Sequence, residues 1–287
     1  MAKEQKYSVL DLKAQFPTDE ACLEYIFKTL HSKECSCGGE YHLLKDRKQY
    51  QCSKCRYQIA PMSGTIFEKS STPLTLWFHA IFIFSNAKSG VSAKEIERQL
   101  GVTYKTAWRI LKLIRSSLKQ KQHLLQGDVE MDETYFGGRF RSGKENRLQK
   151  QAIAAKSVII GSIQRKEEAR VQVSPNGKAY TIGGFLKDNI SPNNTRLMTD
   201  ESNRYDIVSM PYNRLSVNHK KHEFARGDIH TNTIEGFWSH IKRSIAGTHK
   251  SVSKKHLQSY LDAFVFHYNN RYNDNQCFSS LLGALLS

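Results

Sequence analysis

Three acidic residues of this 287-residue chain stand in settings where carboxylates can do chemistry. Asp132 lies in Val129-Glu-Met-Asp-Glu-Thr-Tyr-Phe-Gly-Gly138, where alternation puts Val129 and Met131 on one side of a strand and Glu130 and Asp132 on the other. Asp200 follows Thr195-Arg-Leu-Met-Thr, at the carboxyl end of a second predicted strand. Glu235 lies on a predicted helix within His230-Thr-Asn-Thr-Ile-Glu-Gly-Phe-Trp-Ser-His-Ile-Lys242. Carboxylates from three separate elements can converge on one point, as a two-metal site requires, and such hard oxygen donors suit Mg²⁺, with Mn²⁺ as a substitute. In-line attack on a phosphodiester needs one cation to activate the attacking oxygen and a second, about 3.5–4 Å away, to stabilise the leaving one. Lys242 is two helical turns beyond Glu235 and on the same helix face, where it can hold a phosphate. Taken singly, each acid is an ordinary solvated or helix-capping residue; the combination points to metal.

The second group is sulfur. Cys35-x-Cys37 and Cys52-x-x-Cys55 are separated by fourteen residues, while Cys22 and Cys277 stand apart. Two close thiolate pairs flanking a hairpin-sized segment can surround a tetrahedral Zn²⁺, and a closed four-sulfur shell is structural. The first pair has only one spacer residue, so His31 or His42 is an alternative ligand. The bland reading is that some of these thiols pack as small hydrophobes.

The elements that must position these groups read as follows. A helical segment occupies residues 1–30, with Thr18, Asp19 and Glu20 as a start signal. Short strands around the cysteines form a ribbon over 31–62. A helical region over 63–122 contains an apolar helix near 77–84, then Ser92-Ala-Lys-Glu95 as a capping box, a stop at Gly101 and a second start at Thr103. In that second helix Ala107, Ile110, Ile114 and Leu118 recur at core spacing, while Lys105, Arg109 and Lys112 line another face, suited to a DNA groove or simply to solvent. From 123 to 275 short β-like runs give way to helices, one carrying Ile234, Phe237, Ile241 and Ile245 on a buried face and a longer one running from 253 to about 272. Residues 276–287 read as a tail.

Lys and Arg total 43 against 27 Asp and Glu, a formal net charge of +16, which selects a polyanion over a small acidic substrate. No apolar stretch is long enough to span a bilayer and no signal peptide is visible, so the expected location is the cytoplasm. The loop 139–150, with Arg139 and Arg141, holds five basic residues and one acid, and the stretch 236–256 holds five and none. Arg139, Arg141, Trp238 and Arg243 are therefore expected DNA contacts. His230, His240, His249 and His256 invite a metal or general-base reading, but nucleic-acid contact or exposure is the commoner fate of such histidines.

The ordered set of both cysteine pairs, Pro61-Met-Ser-Gly-Thr-Ile-Phe67, Thr103-Tyr-Lys-Thr-Ala-Trp108, Met131-Asp-Glu-Thr-Tyr-Phe-Gly-Gly138, Met198-Thr-Asp200 and Asn232-Thr-Ile-Glu-Gly-Phe-Trp238 resembles the zinc-ribbon, Merlin-related (ISXO2-like) bacterial insertion-sequence DDE transposases, over about residues 17–275. That resemblance implies an α/β fold: an N-terminal zinc ribbon, a helix-turn-helix and an RNase H-like catalytic domain, a mixed five-stranded sheet with flanking helices. It assigns the acidic triad to Asp132, Asp200 and Glu235, with 34 residues between the last two, and the accompanying base to Lys242. The implied activity is Mg²⁺-dependent cleavage and strand transfer on terminal inverted repeats and target DNA, by a homodimer or larger synaptic assembly at the bacterial nucleoid. In some relatives an asparagine takes the third position, which here is Asn232; Glu235, an anion, holds Mg²⁺ more strongly. Two rival functions share these features: an RNase H-like nuclease that cuts without joining, and a zinc-ribbon transcription regulator.

Overall fold

The computed structural model describes residues 7–44, 47–137 and 156–286; the basic loop at 139–150, with Arg139 and Arg141, lies outside the described residues. The chain divides into two compact units, Met1–Leu118 with Tyr272–Ser287, and Lys119–Arg271.

The first unit opens with two helices where the sequence suggested one segment, α1 (Val9–Gln15) and α2 (Asp19–Leu30). Ser8 and Asp11 form a reciprocal capping box, and Thr18 caps α2. Side-chain caps of this kind each contribute about 1 kcal/mol. Strands β1 (Tyr41–Leu43), β2 (Tyr50–Cys52) and β3 (Gln58–Ile59) form the expected small antiparallel ribbon. Then come α3 (Leu74–Asn86), α4 (Ala93–Leu100) and α5 (Tyr104–Ser117). Ser92 accepts from the Glu95 amide, Gly101 ends α4 at φ +66°, and Thr103 caps α5, so the tight turn between these helices is built as its sequence signals indicate. Trp77, Phe78, Ile81, Ile96, Ile110 and Ile114 are buried. Residues beyond 276 are not a loose tail: Cys277–Leu286 is a helix packed against α3, with Phe278 stacked on Tyr7 at 5.2 Å. Its leucines repeat at helical spacing, which makes an apolar face that must be covered.

The second unit is built on a mixed five-stranded sheet in the order β6-β5-β4-β7-β8, from β4 (Leu125–Phe136), β5 (Ser157–Gln164), β6 (Ala169–Ser174), β7 (Ile190–Thr199) and β8 (Asn213–Ser216). β4, β5 and β6 pair antiparallel, whereas β7 and β8 run parallel to β4. The parallel crossover is made by α6 (Ala179–Asn189), a helix that its Gly183-Gly184 pair hides from propensity reasoning. After β8 come a short hairpin, β9 (Ala225–Arg226) and β10 (Ile229–His230), then α7 (Asn232–Ser244) and α8 (Lys254–Asn269). A π-helical turn, Ile245–His249, extends α7. Helices cover both sheet faces: Ile159, Ile163 and Val171 meet Phe237, Trp238, Ile241 and Phe264 on one, and Val129, Met131, Ile160 and Leu197 meet Ile182, Phe185 and Leu186 on the other. Of the inner strands, β5 is therefore apolar on both sides, whereas β4 turns Glu130 and Asp132 toward α7.

Gly161, directly opposite Asp132 across the β4–β5 ladder, is where α7 comes closest to the sheet. A Cβ there would stand 2.5 Å from Cη2 and 2.6 Å from Cζ2 of Trp238. The ring is enclosed and cannot simply swing away. We expect Gly161→Ala to cost about 1–3 kcal/mol of stability, the usual range for overpacking, measured by denaturant unfolding of the full chain. Wild-type stability of that variant would mean that the contact yields more easily than its geometry implies.

Candidate metal centres

The sulfur cluster lies on the ribbon. Cys35 and Cys37 precede β1, Cys52 ends β2, and Cys55 sits in the following turn. All four Sγ atoms lie within 4.8 Å of one another; Cys35 is 3.7 Å from Cys55 and Cys37 3.4 Å from Cys52. The single spacer residue of the first pair is no obstacle, because Gly38 takes φ +73° and the chain turns back immediately. Gly39 then passes so close to Cys52 that a Cβ there would fall 2.6 Å from its Sγ. Backbone N–H donation around Cys37 and the Tyr41 hydroxyl, 3.3 Å from its Sγ, bring the Cys35 thiol down to about 6. Neither His31 nor His42 belongs to the group, and the donor set fits structural zinc.

The acids converge in the second unit. In the β4–β7 ladder the last pair is Glu130 with Met198, so Asp132 in β4 and Asp200 just past the end of β7 each lie two residues beyond it. Adjacent strands run about 4.8 Å apart, which sets the scale of their approach. Asp200 is fixed by the turn it begins: its Oδ1 accepts from the Ser202 amide at 3.0 Å. Arg214 of β8 clamps that turn, donating to Thr199 Oγ1 and to the carbonyls of Asp200 and Ser202. Glu235 is on the first turn of α7, half-exposed, accepting from the Thr231 hydroxyl at 2.8 Å and facing His219 Nε2 at 3.8 Å.

Asp132 feels the other two acids. Burial raises the Asp132 pKa to about 6, the charges of Asp200 and Glu235 add to the rise, and the Glu133 backbone and the Trp238 indole oppose it. Trp238 Nε1 makes no hydrogen bond of ordinary geometry, so its effect on Asp132 is that of a nearby dipole. The neighbouring Glu133 is pushed to about 7, chiefly by burial, despite Arg204 at 3.3 Å. An anionic cluster so held has a use for a divalent ion, and its oxygens are the donors Mg²⁺ takes. The carboxylates are not drawn as tight as the thiols, which are the one group of three or more His, Cys, Asp or Glu placed to hold an ion among the described residues.

The other expected site residues fall in several places. Lys242 and Arg243 are exposed on α7. Lys105, Arg109 and Lys112 are exposed on α5, where Lys112 Nζ lies 5.2 Å above the Trp108 ring. Trp238, expected to touch DNA, is instead buried at 3% exposure against Gly161: the helix turns its apolar face inward and the indole goes with it. Asn232 is exposed at the start of α7. His240 and His249 pack edge-on to Phe264 and Tyr260, and His230 meets Arg165. Sequence reasoning passed over the roles of Glu130, Glu133, Arg204, Arg214 and His219; only the first two carried a usable signal, as acids close to Asp132 in the same strand.

Among the described residues no helix is long and apolar enough to cross a membrane. In comparison with known proteins, the chain is 25% identical over 242 residues to an uncharacterized protein in transposable element ISH50 of Halobacterium salinarum, covering 79% of each. A chain of the simian T-cell lymphotropic virus intasome in complex with the PP2A regulatory subunit B56 gamma matches with a TM-score of 0.30 at 10% identity, over 65% of this chain and 65% of that one, too distant a likeness to build on. The model of the ISXO2-like transposase domain matches residues 124–269, which takes in the whole carboxylate cluster and just over half of the sequence. This chain therefore belongs to the ISXO2-like transposase family.

Proposed function

We propose that the protein is a DNA transposase that cleaves strands at the ends of an insertion sequence and joins them to target DNA, at a site formed by Asp132, Asp200 and Glu235. The observation that supports this reading is the proximity of those acids: Asp132 and Asp200 each lie two residues past the last β4–β7 pair, and the charges of Asp200 and Glu235 both act on Asp132. The sheet order, with three antiparallel strands followed by two parallel ones, agrees with an RNase H-like domain over 123–275.

Asp132, Asp200 and Glu235 would hold two Mg²⁺ ions, whose charge would activate the attacking oxygen and stabilise the leaving one. Asp132 offers its oxygens from the sheet and Asp200 from the turn that follows β7, while Glu235 approaches from the helix. Lys242, two turns further along α7, orients a DNA phosphate. Arg243 and the α5 residues Lys105, Arg109 and Lys112 bind the DNA backbone, α4 and α5 acting as a helix-turn-helix. Zn²⁺ on Cys35, Cys37, Cys52 and Cys55 holds the ribbon over 31–62, a segment too small to bury a core of its own. Joining two element ends calls for at least a dimer.

The direct test is strand cleavage and transfer on the element's own terminal DNA with Mg²⁺. Asp132→Asn and Asp200→Asn should each lose activity by on the order of a thousandfold or more while still binding the ends. Wild-type activity in either removes the assignment, and nicked DNA without joined product points to a nuclease. A second expectation concerns pH. A carboxyl raised to about 6 keeps its proton below that value, so cleavage at subsaturating Mg²⁺ should rise as pH passes upward through about 6 and then level off. A flat profile from 5 to 8 speaks against it. Third, a strong chelator should remove one zinc per chain and abolish end binding while leaving the 119–271 unit folded, by circular dichroism and metal analysis; retained end binding in zinc-free protein contradicts this role.

A further inference from the structure

We infer that Glu130 is the positioning residue that sets Glu235 against Asp132, by gripping the first turn of α7. The inference rests on the carboxylate-site reading above. Glu130 lies two residues before Asp132 on the same face of β4, and its side chain is 0% exposed. Its oxygens are spent on the start of α7: they accept from the Thr233 amide at 2.8 Å, the Ile234 amide at 3.0 Å and the Thr233 hydroxyl at 2.8 Å. Those amides belong to the first turn of a helix, which has no acceptor of its own for them. The residue that should supply one by position, Thr231, does not: its hydroxyl donates to Glu235 Oε1. The cap thus comes from a strand residue more than a hundred positions earlier in the chain. An anion there also meets the positive end of the helix dipole.

Arg165 completes the joint. Its Nε donates to Glu130 Oε1 at 2.6 Å, Nη1 to the Asp228 carbonyl at 2.7 Å and Nη2 to the His230 carbonyl at 3.0 Å. One guanidinium therefore ties Glu130 to the hairpin that leads into α7. The gripped amides immediately precede Glu235, and the gripping carboxylate stands one same-face position from Asp132. Two residues of strand, one hydrogen bond and one residue of helix fix the spacing of the two acids. Stability alone would be served by a Ser, Thr or Asn at the helix start, without burying a charge.

The test uses the full chain with Glu130→Gln and Thr233→Val, and Asp132→Asn as reference. Two readouts are taken besides activity: Mn²⁺ affinity by titration calorimetry, and hydrogen exchange of the Thr233 and Ile234 amides. Gln keeps an oxygen for the helix amides but turns an NH₂ toward Arg165; Val removes one hydroxyl only. Glu130→Gln should weaken Mn²⁺ binding about tenfold or more, as loss of a partner that orients metal ligands does, and should speed exchange of both amides. Thr233→Val should move both readouts the same way by a smaller factor. Faster exchange with Mn²⁺ affinity within twofold of wild type would make Glu130 a structural cap and overturn the inference; so would unchanged exchange. If Glu130→Gln does not fold, Thr233→Val decides by the same criteria. Wild-type Mn²⁺ binding by Asp132→Asn would be a different failure, that of the carboxylate site itself.

Discussion

Like charges in solution drift apart, and two side chains on neighbouring strands of one sheet cannot. Asp132 lies in β4 and Asp200 directly follows β7, and the parallel pairing of those two strands, which runs up to Glu130 and Met198, leaves each acid two residues beyond the same last pair. Glu235 is brought into the same field by α7, and at Asp132 burial first, with the charges of Asp200 and Glu235 added, pushes the carboxyl up to about 6. Arg214 locks the turn that carries Asp200, and the absent side chain of Gly161 lets Trp238 settle onto the sheet beside Asp132. Each of these contacts opposes the relaxation that repulsion would otherwise drive. A site that stores repulsion in this way gains most from a multivalent cation, since the charge that destabilises the empty cluster is what binds the ion.

The two candidate metal centres solve opposite problems. On the ribbon, four soft sulfur donors stand where they could close a shell around an ion, and so short a segment has little apolar surface with which to hold itself. In the second unit the core is complete without an ion, as the buried residues on both sheet faces show. There Glu235 is half-exposed at the start of α7. Loss of metal should therefore be a folding event in one unit and a functional one in the other.

How much of this could be read beforehand depended on the range of each signal. Local ones worked: the Ser92 and Thr103 caps, the Gly101 stop and the buried face of Ile234, Phe237 and Ile241 are written in residues three or four apart. The cysteine pairs declared themselves by type and spacing. The identity of the three acids rested on resemblance more than on pattern, because a strand-end aspartate has no local mark. Long-range facts were hidden. Nothing near Glu130 says that its partners are Thr233 and Ile234, and α6 was masked by two glycines whose cost is recovered by packing of Ile182, Phe185 and Leu186. Trp238 misled for a related reason: an aromatic in a basic stretch looks like a nucleic-acid contact until the helix has a sheet to lie on.

The central claim is that these carboxylates share divalent ions, and crystals soaked in Mn²⁺ address it most directly through anomalous scattering. Manganese peaks bridging the side chains of Asp132, Asp200 and Glu235 are the expected result. Peaks placed on other acids, or none near these three at saturating Mn²⁺ with the second unit ordered, would contradict it.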